Sequence, residues 1–333
     1  MNIERTAILG AGGWGTALAV LWARQGNLVT LWGNNEARAE ELLRSRKNSH
    51  YLPGIRLPDS VQVTSRIADC AQADLVVFVS PSTALRAVAE KFSSSLRNPE
   101  TSLLSGTKGI EHGTGLRMSE ILEQTFPRNP IAVLSGPNLA TEVARDLPTA
   151  AVLGCPQLAR AEQLQRYLGS ARFRIYTSDE TIGIELGGAL KNVFAIAAGV
   201  SDGLGLGDNS KAALVTRSLA ELLRLGTAMG GNPKTFYGLS GAGDLIATCF
   251  SQHSRNRRVG ENLGRGRTLE QITSESPMVA EGIPTTRSAY ECARKLGIET
   301  PIIDQIYSVL YENKKPDQAM QELLGRDQKA ERI

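Results

Sequence analysis

Short apolar runs alternate with amphipathic helical segments through the first half of the chain. The runs predicted as strands are 6–10, 28–32, 61–64, 74–80, 101–106, 131–136, 150–154 and 173–177. Helical segments such as 16–25 and 119–126 lie between most of them. Near-continuous apolar strands that alternate with helices are typical of a parallel sheet covered on both faces. The pattern therefore predicts an α/β domain with a doubly wound, mainly parallel sheet.

The pattern changes near residue 180, where strand signals fade and Ala- and Leu-rich helical segments take over. Segment 210–229 carries a stripe of apolar positions at helical spacing, with Ser210 predicted as its cap. Segments 285–297 and 302–313 also predict helices, and Gly297 is a stop signal. We therefore expect an α/β domain over 1–180 and an all-α domain over 181–333, joined by a helix rather than a flexible linker.

Composition narrows the class of protein. A chain of 333 residues predicts two domains, and 41% hydrophobic with 21% charged residues is typical of a globular protein. The net charge of +3 predicts no nucleic-acid partner. The 4 cysteines form no CxxC pair, which favours reduced thiols in the cytoplasm and no metal site. We expect no signal peptide, and no stretch near the roughly 18 apolar residues of a membrane span.

The sequence GAGGWG at residues 10–15 is the strongest single motif. It follows the first predicted strand and opens the first predicted helix, as in the dinucleotide-binding unit of Rossmann domains. Gly10 permits the tight turn, Gly12 lets a pyrophosphate approach the backbone, and Gly15 lets the helix pack against the strand. An ordinary glycine turn is the alternative, but the position of the motif favours dinucleotide binding.

The end of the second strand leaves the choice between NAD and NADP open. NAD sites usually carry an acid there, whereas this chain has Gly33, Asn34 and Asn35. Glu36 follows, and we expect one of the asparagines to cap a helix with Glu36 in its first turn. A 2′-phosphate would be neither repelled nor strongly held by these residues.

Two loops after predicted strands carry candidate ligand-binding residues. Lys108 lies in GTKG after one strand, and Gly136 and Asn138 lie in GPN after another. Ligands of open parallel sheets bind outside the carboxyl ends of the strands. The alternative for Lys108 is a solvated loop lysine.

The helical half adds three polar clusters. They are Asp244 in GLSGAGDLIATC, the basic SRNRR at 254–258, and Glu281 in the loop 277–286. Arginine geometry suits two-pronged phosphate binding. The corresponding alternatives are a helix cap, a solvated basic surface and an ordinary connection.

Lys191 stands in the apolar helical stretch LGGALKNVFAIAAG at 186–199. A buried ammonium is costly unless it is paired, so a lysine here requires a reason. At helical spacing its neighbours are small, namely Gly187, Gly188, Ala195 and Ala198. Close helix packing would explain the small residues but not the lysine, so we favour room for a ligand.

Taken in order, GAGGWGTALA, TKG, SGPNLA, LGGALKN, GLSGAGDLIATC, SRNRR, VAEG and LLGR closely resemble bacterial NAD(P)-dependent glycerol-3-phosphate dehydrogenases, from about residue 5 to about 326. The resemblance implies a Rossmann domain, an all-helical domain and an active site in the cleft between them. It implies reversible hydride transfer between NAD or NADP and dihydroxyacetone phosphate or sn-glycerol 3-phosphate, which feeds glycerophospholipid synthesis. A small phosphorylated substrate is the expected partner, and a homodimer is compatible with the resemblance.

The resemblance also assigns residues. Beside the motif glycines Gly10, Gly12 and Gly15, its cofactor positions are Gly13, Trp14, Asn34, Lys108, Ala140, Arg255, Val279 and Glu281. Its substrate positions are Lys108, Gly136, Asn138, Lys191, Asp244, Ser254, Arg255 and Asn256. Two positions depart from the family: Asn34 replaces a common basic residue, and Asn138 replaces a usual Thr or Ser.

The resemblance implies that Lys191 is the proton acceptor, and we expect burial to suit it to proton transfer. We expect Lys108 to polarise the substrate carbonyl and Asp244 to orient either a lysine or a substrate hydroxyl. Two rivals stay open at this point. One is a dehydrogenase of the β-hydroxyacid type acting on a carboxylate, and the other is a dinucleotide sensor without catalysis.

Overall fold

The computed structural model describes residues 3–275, 279–327 and 330, which form two compact units. Unit 1 consists of the described residues up to Lys108 together with Arg117–Thr181. Unit 2 consists of Gly109–Leu116 and the described residues from Ile182 onward. The short segment Gly109–Leu116 therefore belongs to the helical unit, although it lies within the range 1–180 that the sequence suggests for one continuous domain.

Unit 1 is built on one eight-stranded sheet. Its strands are β1 Arg5–Leu9, β2 Leu28–Trp32, β3 Gln62–Thr64, β4 Leu75–Phe78, β5 Ser102–Ser105, β6 Ile131–Ser135, β7 Thr149–Gly154 and β8 Phe173–Ser178. They are arranged in the order β3-β2-β1-β4-β5-β6-β7-β8, and every pair is parallel except β6 with β7. The structure confirms the predicted fold class, and each predicted strand overlaps an observed one. The order reverses at β1, so the loops after β1 and β4 flank a topological switch point.

Helices cover both faces of this sheet. The helices of unit 1 are α1 Gly13–Arg24, α2 Glu36–Ser45, α3 Leu85–Ser93, α4 Met118–Thr125, α5 Ala140–Ala144 and α6 Leu158–Leu168. Ile8 lies in register with Leu31 and with Val77, and these side chains pack with buried residues of α1, α5 and α6. On the other face, Phe78 packs against Phe92 and Phe126 beside α3 and α4. Both faces are thus apolar, which explains the near-continuous apolar runs.

The secondary-structure elements of unit 2 are helices in the part of the chain that the structure describes, and Gly109–Leu116 joins them as a non-helical segment. Its helices are α7 Ile182–Gly203, α8 Gly207–Ala228, α9 Asp244–Phe250, α10 Arg255–Gly264, α11 Leu269–Glu275, α12 Gly282–Leu296, α13 Pro301–Tyr311 and α14 Pro316–Leu324. A single π-helical turn, Leu239–Gly243, leads into α9. The core is centred on α7, and Ile110 from the segment Gly109–Leu116 is part of it.

Three expectations about the helices need correction. Helix α8 begins at Gly207, so Ser210 lies inside its first turns and does not cap it. A Cβ on Gly187 would lie 2.8 Å from the Ser240 carbonyl oxygen, so close packing accounts for that small residue. Helix α7 is long and apolar enough to cross a membrane by length and composition, contrary to the expectation for the sequence, but 94% of its apolar window is buried inside the protein.

Candidate active site

The glycine loop joins β1 to α1 with little room to spare. Gly10 has a φ of 133°, and a Cβ there would lie 2.9 Å from the carbonyl carbon of Val79. A Cβ on Gly15 would lie 1.9 Å from the carbonyl oxygen of Gly10. Only glycine fits these two positions, and the first turn of α1 consequently lies directly against the end of β1.

The open side of the loop fits a pyrophosphate. Gly12 stands at the N-cap of α1 with no side-chain cap, and no heavy atom of the described residues lies within 4 Å of the place a Cβ would take. The first amides of a helix and its positive dipole end favour an anion at such a position. Gly13 lies against the carbonyl oxygen of Tyr51, and Trp14 lies against Gly106. The predicted glycine-loop residues are thus brought together around space that suits a dinucleotide.

Asn48 holds the glycine loop in place, and sequence reasoning did not find it. Its amide donates to the Ala11 carbonyl at 2.9 Å and to the Thr16 hydroxyl at 2.7 Å, and its side-chain oxygen accepts from the Tyr51 amide at 3.3 Å. Asn48 is 9% exposed. Because it lies 32 residues beyond Thr16 in the chain, no local pattern indicates this contact.

At the end of β2, the side chain of Asn35 accepts from the Arg38 amide at 2.9 Å and caps α2. Glu36 stands in the first turn, as the sequence suggests, and Asn34 is exposed beside the cap. The other predicted cofactor residue of this unit, Ala140, begins α5, which packs against α1.

Lys108 and the loop after β6 lie together in unit 1. The Lys108 ammonium donates to the Gly136 carbonyl at 2.9 Å. Asn138 folds back on the same loop through its backbone amide, and its side-chain amide donates to the Ala150 carbonyl at 2.9 Å. Its Oδ1 is buried without a hydrogen-bond partner among the described residues. An orphaned acceptor in this loop fits a ligand that brings a hydroxyl or amide donor.

Lys191 is buried in α7 and meets two acceptors from α9. Its Nζ lies 2.9 Å from Asp244 Oδ1 and donates to the Thr248 hydroxyl at 2.6 Å, while that hydroxyl donates to Asp244 Oδ1 at 3.0 Å. The three residues are 6%, 2% and 4% exposed. Asp244 therefore contacts a lysine, and its role in orienting that lysine stays a prediction. Thr248 was not singled out, although its place one helical turn after Asp244 puts both on one face of α9.

A second buried network runs beside the lysine. Asn256 donates to the side-chain oxygen of Asn192 at 2.8 Å and accepts from the Gly282 amide at 2.9 Å. Ser254 is the N-cap of α10, where its hydroxyl accepts from the Arg257 amide at 3.2 Å. Asn256 is thus fixed between α7 and α12, and Ser254 is held by the first turn of α10.

The remaining predicted cofactor residues of unit 2 lie near one another. Arg255 donates to the Val279 carbonyl at 2.9 Å, and Glu281 stands at the N-cap of α12. Pro277 and Met278, which open the predicted loop 277–286, lie outside the described residues. Within the described part of the chain, no group of three or more His, Cys, Asp and Glu residues could hold a metal ion.

A Rossmann sheet with an open glycine loop, together with a helical unit that carries a buried lysine, is typical of dehydrogenases that use a nicotinamide dinucleotide. Known proteins identify the kind of dehydrogenase. A family model described as NAD-dependent glycerol-3-phosphate dehydrogenase N-terminus matches residues 5–161, and the corresponding C-terminus model matches residues 180–321. The chain therefore belongs to the NAD(P)-dependent glycerol-3-phosphate dehydrogenases, and it is an oxidoreductase.

Individual members of this family are similar to the chain over almost its whole length. A glycerol-3-phosphate dehydrogenase [NAD(P)+] of Syntrophotalea carbinolica is 48% identical over 335 residues, which cover 99% of each chain. That of Desulfitobacterium hafniense is 46% identical over 99% of this chain and 93% of its own. A crystal structure of glycerol-3-phosphate dehydrogenase from Coxiella burnetii has a TM-score of 0.94 at 39% identity and covers 97% of this chain and 99% of that one.

A ketopantoate reductase from Ralstonia eutropha has a TM-score of 0.63 at 16% identity, covering 95% of this chain and 99% of its own. At that identity the likeness shows a shared fold alone. The family match decides against both rivals, the dehydrogenase for carboxylate substrates and the sensor without catalysis.

Proposed function

We propose that the chain interconverts dihydroxyacetone phosphate and sn-glycerol 3-phosphate, with Lys191 as the residue that carries the proton. The observation behind this proposal is the Lys191 ammonium, which is buried in the mainly apolar helix α7 and held by Asp244 and Thr248 of α9. The nicotinamide cofactor, when bound, supplies or accepts the hydride at carbon 2 of the substrate.

In the reductive direction, the ketone oxygen gains a proton as its carbon gains the hydride. The Lys191 ammonium, held by Asp244 and Thr248, donates that proton. In the oxidative direction Lys191 takes the hydroxyl proton back. General acid–base catalysis of this kind contributes on the order of 10²–10⁴ in rate.

The substrate phosphate requires donors near this lysine. We propose Ser254, Arg255 and Asn256 for this role, together with Lys108, Gly136 and Asn138 as further substrate contacts. The fixed Asn256 amide, the guanidinium of Arg255 and the orphaned Asn138 oxygen support these assignments. Holding the phosphate positions carbon 2, which is mainly an entropic contribution to rate.

For the cofactor, we propose that the pyrophosphate lies on the loop formed by Gly10, Gly12, Gly13, Trp14 and Gly15. The open space at Gly12 supports this position. Further proposed cofactor contacts are Asn34, Lys108, Ala140, Arg255, Val279 and Glu281.

The test is the Lys191→Ala variant, assayed by NADH and NADPH absorbance with dihydroxyacetone phosphate and, separately, with 3-oxo acids. We expect turnover of dihydroxyacetone phosphate to fall by at least about 10²-fold, while cofactor binding, measured by NADPH fluorescence, persists. Lys234→Ala, which removes an exposed lysine of the same unit, is the matched control. Normal turnover by Lys191→Ala would show that another group carries the proton.

We further propose that the enzyme works in the cytoplasm, without nucleic acid or insertion into a membrane, and supplies glycerol 3-phosphate for glycerophospholipid synthesis. The four free cysteines and the small net charge of +3 support this setting. A homodimer is compatible with the proposal, and sedimentation velocity would test it.

A further inference from the structure

Arg38 follows β2, the strand after which a Rossmann unit holds the adenosine ribose of its cofactor. In this fold the ribose 2′ position meets residues just after the second strand, and a nearby arginine can accommodate a 2′-phosphate. Strand β2 ends at Trp32 and α2 begins at Glu36, so Arg38 is in the first turn of the helix that follows. Its backbone amide is bound by the Asn35 cap.

The side chain of Arg38 is directed by Tyr51. Its Nη1 donates to the Tyr51 hydroxyl at 2.6 Å, and its guanidinium carbon lies 5.6 Å from the centre of the tyrosine ring. The backbone of Tyr51 in turn lies against the glycine loop, since its carbonyl oxygen is 2.9 Å from the place a Cβ on Gly13 would take. Arg38 is thus tied to the segment that packs on the pyrophosphate loop.

Charge and geometry at this place suit a phosphate. Arg38 is exposed, and its guanidinium offers five N–H donors, of which the contact with Tyr51 uses one. Arginine binds phosphate oxygens in a two-pronged manner. The opposing group is Glu36, an exposed carboxylate in the same turn, which would favour a ribose hydroxyl instead. Arg38 therefore predicts binding of NADP(H), whereas Glu36 predicts binding of NAD(H).

We propose that Arg38 binds the 2′-phosphate of NADP(H) and gives this chain a preference for NADPH over NADH. The proposal rests on the proposed function above, because it concerns the cofactor of that same site. Arg38 would then take the place of the basic side chain that is common in the family at the position of Asn34.

The direct test measures binding of two small probes by calorimetry, namely adenosine 2′,5′-bisphosphate and 5′-AMP, which lacks the 2′-phosphate. Hydrogen bonds to charged groups contribute about 1.5–3 kcal/mol, so Arg38→Ala should bind the bisphosphate roughly 10–100-fold more weakly. Binding of 5′-AMP should change by no more than about twofold. Arg38→Lys should keep part of the affinity, because it retains the charge but loses the fork.

Arg44→Ala is the matched control, since it removes an exposed arginine from the last turn of the same helix. It should leave the affinity for both probes unchanged. Equal weakening of both probes by Arg38→Ala, or weakening of neither, would overturn the proposal. So would wild-type protein that binds 5′-AMP as tightly as the bisphosphate.

A kinetic measurement separates this proposal from the proposed function. The ratio of kcat/KM with NADPH to that with NADH should fall in Arg38→Ala, through KM for NADPH rather than through kcat. Bisphosphate binding that depends on Arg38, in a protein that does not reduce dihydroxyacetone phosphate, would support Arg38 and reject the proposed substrate. If Arg38→Ala reduced dihydroxyacetone phosphate with an unchanged ratio of the two kcat/KM values, the proposed substrate would be supported and the role of Arg38 rejected.

Discussion

At the scale of single residues, the buried Lys191 explains why α9 carries two buried polar residues, Asp244 and Thr248. A buried ammonium is stable only with well-placed acceptors. Asp244 provides the charge, and Thr248 bridges the lysine and the carboxylate as both acceptor and donor. We infer that Thr248 positions Lys191 rather than reacting itself.

Thr248→Val tests this inference, because valine keeps the shape and removes the hydroxyl. We expect kcat to fall roughly 10–100-fold, since a hydrogen bond to a charged group contributes about 1.5–3 kcal/mol. Steady-state kinetics with dihydroxyacetone phosphate give kcat, and NADPH fluorescence should show unchanged cofactor affinity. Thr248→Ser should recover most of the activity. A valine variant as active as wild type would mean that Asp244 alone positions the lysine.

Glu221 makes the stability of the protein depend on pH. It is 1% exposed in α8, and its two carboxyl oxygens accept from the amides of Ile302 and Ile303 at the start of α13. Burial raises the pKa of Glu221 to about 7, against the opposing effect of those amides. Between its ordinary pKa of 4.5 and about 7, the folded protein therefore keeps a proton that the unfolded chain has lost.

Raising the pH through this interval should consequently lower the free energy of unfolding, by up to about 3 kcal/mol from this group. Urea unfolding at about pH 5 and about pH 7 measures the decrease. Glu221→Gln should remove this part of the pH dependence, whereas Glu270→Gln, at an exposed position, should not. An identical pH slope in wild type and Glu221→Gln would contradict the assignment.

The sequence indicates which residues are unusual but not which partners they meet. Lys191 is conspicuous because its charge interrupts an apolar helix, and the glycine loop because its spacing is regular. The contact of Lys191 with Thr248 spans 57 residues, and that of Asn48 with Ala11 spans 37. Arg38 is an ordinary exposed helix residue until Tyr51 is seen beside it. Long-range partners depend on the tertiary fold, which no local pattern contains.

At the scale of elements, the helix pair α7 and α10 is packed through glycines. A Cβ on Gly199 would lie 1.9 Å from the Arg257 carbonyl oxygen, and a Cβ on Gly260 would lie 1.9 Å from that of Ile196. The two backbones are in direct contact at this crossing. Because α10 carries Arg255 and Asn256, the spacing of the two helices also sets the position of those side chains.

Gly199→Ala and Gly260→Ala should each destabilise the protein by roughly 1–3 kcal/mol or more, since overpacking forces the backbones apart. The double variant should cost less than the sum, because one separation relieves both clashes. Urea unfolding measures all three. Gly325→Ala is the control, because within the described part of the chain the added methyl meets the Gln321 carbonyl alone, at 3.2 Å. It should change stability by less than about 0.5 kcal/mol. Strict additivity would show that the two contacts are independent.

The strands could be predicted from the sequence more accurately than the helices. The strands were predicted well because both faces of the sheet are buried, so each strand is an uninterrupted apolar run. The start of α8 was predicted wrongly. Serine is a common N-cap residue, which favoured Ser210, but the helix already begins at Gly207, where φ is 79°. The apolar helix α7 looks like a membrane span by composition, and only its burial by neighbouring helices distinguishes it.

At the scale of the whole molecule, the two units are not two continuous stretches of chain. Gly109–Leu116 follows directly on Lys108, yet it packs with the helical unit. Ile110 is 3% exposed in the core around α7, and its carbonyl accepts from the Ser288 hydroxyl at 2.9 Å. The pattern of apolar and polar positions does not indicate that Gly109–Leu116 packs with the helical unit, because one isoleucine in a loop does not show which core it will enter.

This arrangement predicts that stability of the helical unit depends on a residue from the first half of the chain. Ile110→Ala should cost roughly 2–5 kcal/mol, as for other large-to-small changes in a core. Hydrogen exchange should show the loss of protection in α7 and α12, with the strands β1 and β4 less affected, since exchange reports the stability of each cooperative region.

Ile121→Ala is the matched control, because Ile121 is fully buried in α4 of the sheet unit. It should reduce protection in the sheet and leave α7 comparatively protected. If Ile110→Ala and Ile121→Ala instead lowered protection equally in every element, the protein would unfold as one cooperative body, and the two units would not be separate in energy. If Ile110→Ala affected only the sheet, the assignment of Gly109–Leu116 to the helical unit would be wrong.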